Sequence, residues 1–205
     1  MCCIVATGII SDVSHEIDDD VLDAVTRILR RDGVRGLTIT AIADEANLSR
    51  VTLHRRGASI DDFVVAVLAR ASDDLRASLW PALTATGDAA SRLRTALRAL
   101  CDVAERHAAV LTAFYTEPSR PIPGRPGRTT SFEFIEPFER LLRDGAVDGS
   151  LRVEDPNSEA TLVANTVCWT YLHMRRAHRW PAGRTADKVI TLATAHLVPS
   201  TVSTP

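Results

Sequence analysis

The segment at residues 37–59, LTITAIADEANLSRVTLHRRGAS, constrains the fold of this chain more than any other feature. It predicts two short helices joined by a tight turn. We expect Thr38 to cap the first helix and Ser49 to cap the second, because a hydroxyl at an N-cap accepts a hydrogen bond from a free helical N–H. Asn47 stands where a left-handed residue ends the first helix, a position that Gly fills most often and Asn next. Because so short a turn makes the helices cross steeply, the segment is predicted to be a helix-turn-helix.

Helical periodicity extends through most of the remaining chain, and strand alternation is nearly absent. The first helix is expected to begin within the three aspartates at residues 18–20 and to stop at Gly33. Capping or solvation of these carboxylates is favoured over a metal site, because consecutive side chains on a helix point in different directions. A long helix is expected from about residue 61 to about residue 79, just before Pro81 stops it.

The second half of the chain predicts further helices separated by connections. One or two helices are expected between residues 89 and 115, and helices resume near Ser131. Between them, residues 118–128 contain four prolines, two glycines and three arginines, which predicts an exposed loop. A strongly apolar helix is expected over about 158–180, and a last helix over about 185–197. The predicted fold class is therefore all-α.

Composition excludes several classes of protein. Hydrophobic residues make up 45% of the 205 residues and charged residues 24%, which is typical of a globular chain and not of a disordered or fibrous one. No apolar run approaches the roughly 20 residues that cross a bilayer, so no membrane contact is expected. No Lys or Arg precedes Arg27, so a secretory signal is not expected. Four cysteines without a Cys-x-x-Cys motif favour a reduced, cytoplasmic setting.

Basic charge is concentrated in one stretch of the chain. Residues 1–26 hold six acids and no bases, residues 27–60 hold seven bases and three acids, and residues 61–205 hold 17 of each. The formal net charge of −2 therefore hides a local basic region of the kind that contacts a polyanion.

These features together resemble the N-terminal DNA-binding domain of tetracycline-repressor (TetR) family transcriptional regulators. The matching residues are Thr38, Ile42, Ala43, the turn at 46–49, Leu53 and Ser59, within a pattern of about 45 residues. In the rest of the chain only the number and length of the helices match.

The resemblance implies four regions along the chain. Residues 1–17 would form a flexible arm, and residues 18–62 a three-helix helix-turn-helix domain that binds DNA. Residues 63–198 would form an all-helical ligand-binding and dimerisation domain, followed by a disordered tail at 199–205.

Three residues depart from the family pattern. His54 stands where the family usually has Tyr, Gly57 where it usually has Phe, and Ile60 where it usually has Lys. The usual Tyr and Lys contact phosphates, so Ile60 removes a charge that a DNA backbone would use. Gly57 removes an aromatic side chain that would pack the recognition helix onto its neighbours. Weaker or more salt-sensitive operator binding is therefore expected.

The resemblance implies contacts with double-stranded DNA that divide by chemistry. Hydroxyls and backbone amides would hold phosphates, and side chains on the second helix would face base edges in the major groove. The residues implied at phosphates are Thr38, Thr40 and Ser59, those implied at base edges are Arg50, Thr52 and Arg55, and the remaining members of the interface are Ser49, His54 and Arg56. A dimer would place two recognition helices about one DNA turn (~34 Å) apart, so the operator is expected to be palindromic.

The resemblance also implies a small-molecule effector, of unidentified structure, bound among the C-terminal helices, and a homodimer formed by the last two long helices. The candidate pocket residues are Cys101, Phe114, Phe134, Phe138, Trp169 and His173. The candidate dimer residues are Leu162, Val163, Thr166, Val167, Thr170, Val189, Leu192, Ala193 and His196. Since aromatic residues at helical spacing are core residues more often than ligand contacts, only a subset of the pocket residues is expected to touch an effector.

The expected function is a ligand-responsive transcriptional repressor, and not an enzyme. Cys101 and His107 are six residues apart, on nearly opposite helix faces, and His173 and His178 are five apart, which misses the i, i+4 spacing of a helical metal site. No cofactor or metal is expected. Two alternatives remain open: a family relative that has lost operator binding and acts by ligand or protein association, and an all-helical enzyme or carrier.

Overall fold

The computed structural model of the chain describes residues 17–55, 59–115 and 135–199. Within these ranges the chain is helical and contains no strand, which confirms the all-α fold class. In chain order the α-helices are α1 (Asp19–Asp32), α2 (Ile39–Glu45), α3 (Arg50–Arg55), α4 (Ile60–Thr84), α5 (Ala89–Arg106), α6 (Ala108–Tyr115), α7 (Glu136–Asp148), α8 (Pro156–Arg176) and α9 (Ala182–Thr194). Short 3₁₀ turns follow α1 at Val34–Gly36 and α9 at Ala195–Leu197. None of the helices in these ranges is long and apolar enough to cross a membrane.

Helix α1 lies where the sequence predicts it. It begins after Asp18 and ends at Gly33, whose φ of 66° is easily adopted only by glycine. The side chain of Asp18 makes no capping hydrogen bond, so the aspartate run acts through the charges of Asp19 and Asp20 in the first turn, which oppose the helix dipole. One face of the helix is buried, with Val21, Leu22, Val25, Ile28 and Leu29.

Helix α4 corrects the prediction that Pro81 ends it, because the helix continues to Thr84. A proline removes one backbone N–H and disturbs one turn, which is a limited loss this close to the end of a helix. Two hydrogen bonds hold the turn after Pro81. The Ala85 N–H donates to the Pro81 carbonyl at 3.0 Å, and the Thr84 hydroxyl donates to the Trp80 carbonyl at 2.9 Å. Ala82, which is buried, adds apolar contact on the buried side of this last turn of α4.

The last two helices begin earlier than predicted. Asp155 accepts a hydrogen bond from the Asn157 N–H at 3.2 Å, so α8 starts at Pro156, a residue favoured in a first helical turn. Helix α8 also ends at Arg176, four residues before the predicted end. The predicted loop at 118–128, the helix start near Ser131 and most of both chain ends lie outside the described residues.

The chain divides into two compact units. The first contains the described residues up to Asp73 and those from His107 to Tyr115. Its core is formed by α1, α2, α3, the first half of α4, and Ala109 and Val110 of α6. Helix α4 continues across the predicted boundary after residue 62, and α6 packs on α1, where Ala109 and Val110 join the core of the first unit.

The second unit contains the described residues from Asp74 to Arg106 and from 135 to 199. Helices α5, α7 and α8 pack on one another, and α9 packs on α8. The core side chains include Leu93, Leu97, Phe138, Leu141, Val167, Tyr171 and Ile190. Gly145 permits a close approach here, because a Cβ at this position would lie 2.5 Å from the Leu151 Cδ1 atom.

Candidate nucleic-acid interface

Hydroxyl groups cap both helices of the predicted helix-turn-helix. The Thr38 Oγ1 atom accepts a hydrogen bond from the Ala41 N–H at 3.1 Å, and the Ser49 Oγ atom accepts one from the Thr52 N–H at 3.0 Å. The Ser49 and Thr52 hydroxyls also lie 2.8 Å apart, within hydrogen-bond distance. Both predicted caps are confirmed, and each satisfies a helical N–H that would otherwise lack a partner.

The turn between α2 and α3 is a Schellman turn. The Leu48 N–H donates to the Ala43 carbonyl at 2.9 Å, and the Asn47 N–H donates to the Asp44 carbonyl at 3.3 Å. Asn47 has a φ of 54°, which confirms the predicted left-handed residue. Leu53 of α3 is 1% exposed and belongs to the core of the first unit. The turn therefore places α3 against that core.

Helix α3 presents a mixed cationic and apolar face to solvent. Arg50 is exposed, and so is Val51, at 64% of its surface. An arginine can bind guanine through two hydrogen bonds, and an apolar side chain can contact the methyl group of thymine. This face therefore carries groups that can read base edges.

The start of α4 is acidic and internally capped. Ser59 and Asp62 form a reciprocal cap, in which the Ser59 hydroxyl donates to the Asp62 carboxylate at 2.6 Å and the Asp62 N–H donates to the Ser59 hydroxyl at 3.2 Å. Asp61 places a second carboxylate in the same turn. Ile60 is half-buried and packs against the core of the first unit, so an apolar residue fits this position better than a lysine would. The hydroxyl of Ser59 is thus occupied by a carboxylate, which works against its predicted role at a phosphate.

Two of the arginines in the basic stretch are paired within the protein. The Arg27 Nε atom lies 2.8 Å from Glu45 Oε1, and the Arg31 Nη1 atom lies 2.9 Å from Glu45 Oε2. Hydrogen bonds from both arginines lower the pKa of the Glu45 carboxyl, so it is ionised at neutral pH. Among the described residues, Arg30, Arg35 and Arg50 of this stretch have no ion-pair partner, so they are the cations open to a polyanion.

No protein-family model matches the chain, and no curated protein matches its sequence. Solved structures do match it in fold. The TetR-family regulator PfmR of Thermus thermophilus has a TM-score of 0.68 at 17% identity, over 86% of this chain and 98% of its own. FadR of Bacillus subtilis, solved with stearoyl-CoA, has a TM-score of 0.71 at 12% identity, over 86% of this chain and 97% of its own. AibR, solved with isovaleryl coenzyme A and operator DNA, has a TM-score of 0.66 at 15% identity, over 85% of this chain and 96% of its own.

This chain has the TetR-family fold. Within it, the predicted DNA-binding residues that the structure describes lie on the caps and the exposed face of one helix-turn-helix. Thr38, Ser49 and Arg50 are exposed, and Thr40 and Thr52 are half-buried. The side chains of His54 and Arg55, and residues Arg56 and Gly57, lie outside the described part of the chain.

The predicted pocket residues are spread between the core and the surface of the TetR-family fold. Cys101 and Phe138 are fully buried, and burial raises the pKa of the Cys101 thiol to about 12, so it packs as an uncharged side chain. Trp169 is half-buried and donates a hydrogen bond from its indole N–H to the Asn165 side chain at 3.1 Å. His173 is exposed. The Phe114 side chain and Phe134 lie outside the described residues. The effector pocket itself stays a prediction.

The predicted dimer residues fall on two adjacent faces of α8 and α9 and, for His196, on the 3₁₀ turn after α9. Four are buried within their own chain and need correction, since they hold α8, α9 and their neighbours together: Val163, Val167, Val189 and Ala193. Four others are exposed: Leu162, Thr166, Leu192 and His196. Thr170 is half-buried. The error arises because both faces of these helices carry apolar residues, so periodicity alone does not separate a core face from a contact face.

Sequence reasoning missed three features of the interface. Val51 is apolar, which suggests burial, yet it is exposed. Arg35 lies on the 3₁₀ turn before α2, exposed, in a segment without periodicity. Glu45 pairs with arginines 14 and 18 residues away, a contact that depends on how α1 and α2 pack. The i, i+4 spacing of Arg27 and Arg31 on one face of α1 was a usable signal that both could reach one carboxylate.

Proposed function

We propose that this protein is a ligand-responsive transcriptional repressor that binds a palindromic operator as a homodimer. The observation that carries the proposal is the capped helix-turn-helix, whose second helix buries Leu53 and exposes Arg50 and Val51. A short helix anchored on one side and open on the other is the form in which a helix enters the major groove. The TetR-family fold and the operator complex of AibR support the same function.

Operator binding is tested by fluorescence anisotropy or gel shift with DNA that flanks the protein's own gene. Arg50→Gln is expected to weaken binding by about tenfold or more, since one base contact contributes about 1–3 kcal/mol. Arg152→Gln removes the same charge from an exposed position of the second unit and should leave binding nearly unchanged. Equal affinities of wild type and Arg50→Gln for every fragment would reject base reading by α3.

A small organic effector is expected to act on the second unit and weaken operator binding. FadR and AibR were solved with acyl-CoA thioesters, which makes these compounds the first set to screen by thermal shift and by release of bound DNA. Helix α4 contributes residues to both compact units and is the expected route of coupling, which need amount to only about 1–3 kcal/mol. An effector that binds without changing operator affinity would contradict this part of the proposal.

One observation favours the alternative of a regulator that has lost operator binding. In the first turn of α4, the Asp62 carboxylate holds both the hydroxyl and the backbone N–H of Ser59, so these groups are not offered to a phosphate. Under this alternative the wild-type chain would bind no flanking fragment even at low salt, while still binding an effector.

A further inference from the structure

The carboxylate of Glu45 lies at the last residue of α2, directly before the turn that leads to α3. An acid at a helix C-terminus is unfavourable unless a cation compensates it, because the helix dipole is negative there. Glu45 receives two such cations. Arg27 and Arg31 each bind one of its carboxylate oxygens, at 2.8 Å and 2.9 Å, and Arg31 also binds the next residue of α1, Asp32, at 2.9 Å. The side chains of Glu45, Arg27 and Arg31 are called the Glu45 cluster below.

The Glu45 cluster also holds the backbone at the end of α2. The Arg27 Nη2 atom donates to the Glu45 carbonyl at 3.2 Å, which satisfies one of the free carbonyls at the end of the helix. Four residues later Ser49 caps α3. The cluster therefore fixes the end of α2 against α1, and with it the starting point of the turn that orients α3.

We infer that Glu45 is a positioning residue for operator recognition, and that Arg27 and Arg31 act through it and not as phosphate ligands. This role rests on the proposed operator binding. It reverses the usual electrostatic expectation, since removing an acid beside a DNA-binding surface normally strengthens binding. Without the cluster, the fraction of molecules with α3 in the competent orientation falls, and operator affinity falls with that fraction. Binding to non-operator DNA depends on backbone contacts and changes less.

Asp44 provides a matched control for Glu45. It lies next to Glu45 on α2, its side chain is exposed, and among the described residues it has no ion-pair partner. Asp44→Asn and Glu45→Gln each remove one negative charge from adjacent positions. Simple electrostatics predicts that both variants bind DNA more tightly than wild type. The role inferred for Glu45 predicts instead that Glu45→Gln binds the operator more weakly, whereas Asp44→Asn does not.

The experiment measures anisotropy of the full-length protein on the operator fragment and on a scrambled duplex over a series of salt concentrations. Glu45→Gln is expected to lower operator affinity about three- to tenfold and to lower the operator-to-scrambled affinity ratio. Asp44→Asn should bind as tightly as wild type or more tightly. Arg31→Gln should lose about as much operator affinity as Glu45→Gln, and the dependence of its affinity on salt concentration should match that of wild type. The double variant should lose no more operator affinity than either single variant.

Arg31→Gln leaves the Arg27 contacts in place and so tests the same role if Glu45→Gln fails to fold. A change in overall stability alone would lower both affinities equally and leave their ratio intact. Operator binding by Glu45→Gln at or above the wild-type level, or a salt slope reduced by about one in Arg31→Gln, would overturn the inference while leaving the proposed function standing. A wild-type chain that binds no duplex would overturn both.

Discussion

Arg179 illustrates how a single residue carries local strain. It lies between α8 and α9 with a φ of 54°, a left-handed conformation that costs a residue with a Cβ about 1 kcal/mol. Two contacts hold the connection in this form. The Trp180 N–H donates to the Met174 carbonyl at 3.2 Å, and the Arg175 guanidinium donates to the Trp180 carbonyl. The surrounding structure therefore imposes the conformation on Arg179.

Arg179→Gly is expected to raise the free energy of unfolding by about 0.5–1 kcal/mol, because glycine adopts a positive φ without steric cost. Urea denaturation measures the change. Arg176→Gly is the control, since it lies in the last turn of α8 and should lower the free energy of unfolding by about 0.5–1 kcal/mol. Destabilisation of similar size in both variants would show that no strain is stored at Arg179.

Residues whose partners are close in sequence were predictable. Thr38 and Ser49 each cap an N–H three residues ahead, and Asn47 supplies the left-handed residue of its own turn, so local chemistry decides all three. The Glu45 cluster and the α6 contribution to the first core were not predictable in this way. They depend on which helix faces meet, and that is fixed only when the whole core forms.

At the scale of elements, ion pairs join the end of α5 to its neighbours in the second unit. Glu105 binds the Arg175 guanidinium of α8 through contacts of 2.6 Å and 2.9 Å. Arg106 binds Asp74 of α4 through contacts of 2.9 Å and 3.0 Å. The hydrogen bond from Arg175, with a smaller contribution from Tyr171, lowers the pKa of the Glu105 carboxyl.

This lowered pKa predicts a pH-dependent stability. A carboxyl group with a folded-state pKa below its unfolded value of ~4.3 stabilises the fold above that pH, and the stabilisation is lost as the pH falls through the folded-state pKa. Glu105→Gln should therefore reduce the free energy of unfolding at pH 7 by up to about 1 kcal/mol, and the difference from wild type should shrink in acid.

Urea denaturation at neutral and acid pH measures this difference. Glu154→Gln is the control, since Glu154 is 82% exposed and lies 3.4 Å from Arg152, and it should change stability little at either pH. A Glu105→Gln effect of equal size at both pH values would contradict an ionic role for this contact.

At the scale of the whole molecule, the proposed dimer is expected to use the exposed side of α8 and α9. Leu162 and Leu192 are 62% and 69% exposed, although leucine is usually buried. The proposed dimer covers them with a second copy, while the adjacent faces of the same helices form the core. This division of faces narrows the set of dimer residues that the resemblance implied.

Leu162→Asp combined with Leu192→Asp is expected to produce a monomer, because a dimer would bury two uncompensated charges from each chain. Sedimentation should give about twice the chain mass of 22.3 kDa for wild type and about that mass for the variant. Val147→Asp changes a side chain on α7 that is 85% exposed and should leave the dimer intact. A monomeric wild type, or dissociation by Val147→Asp as well, would contradict the proposed interface.

The most direct test of the central claim is a hydroxyl-radical footprint of the full-length protein on DNA flanking its gene. A dimer that inserts two copies of α3 should protect two half-sites related by an inverted repeat, about one helical turn (~34 Å) apart, and Arg50→Gln should lose this protection at the same protein concentration. Wild-type protein that protects no sequence, or protection without two-fold symmetry, would contradict the account.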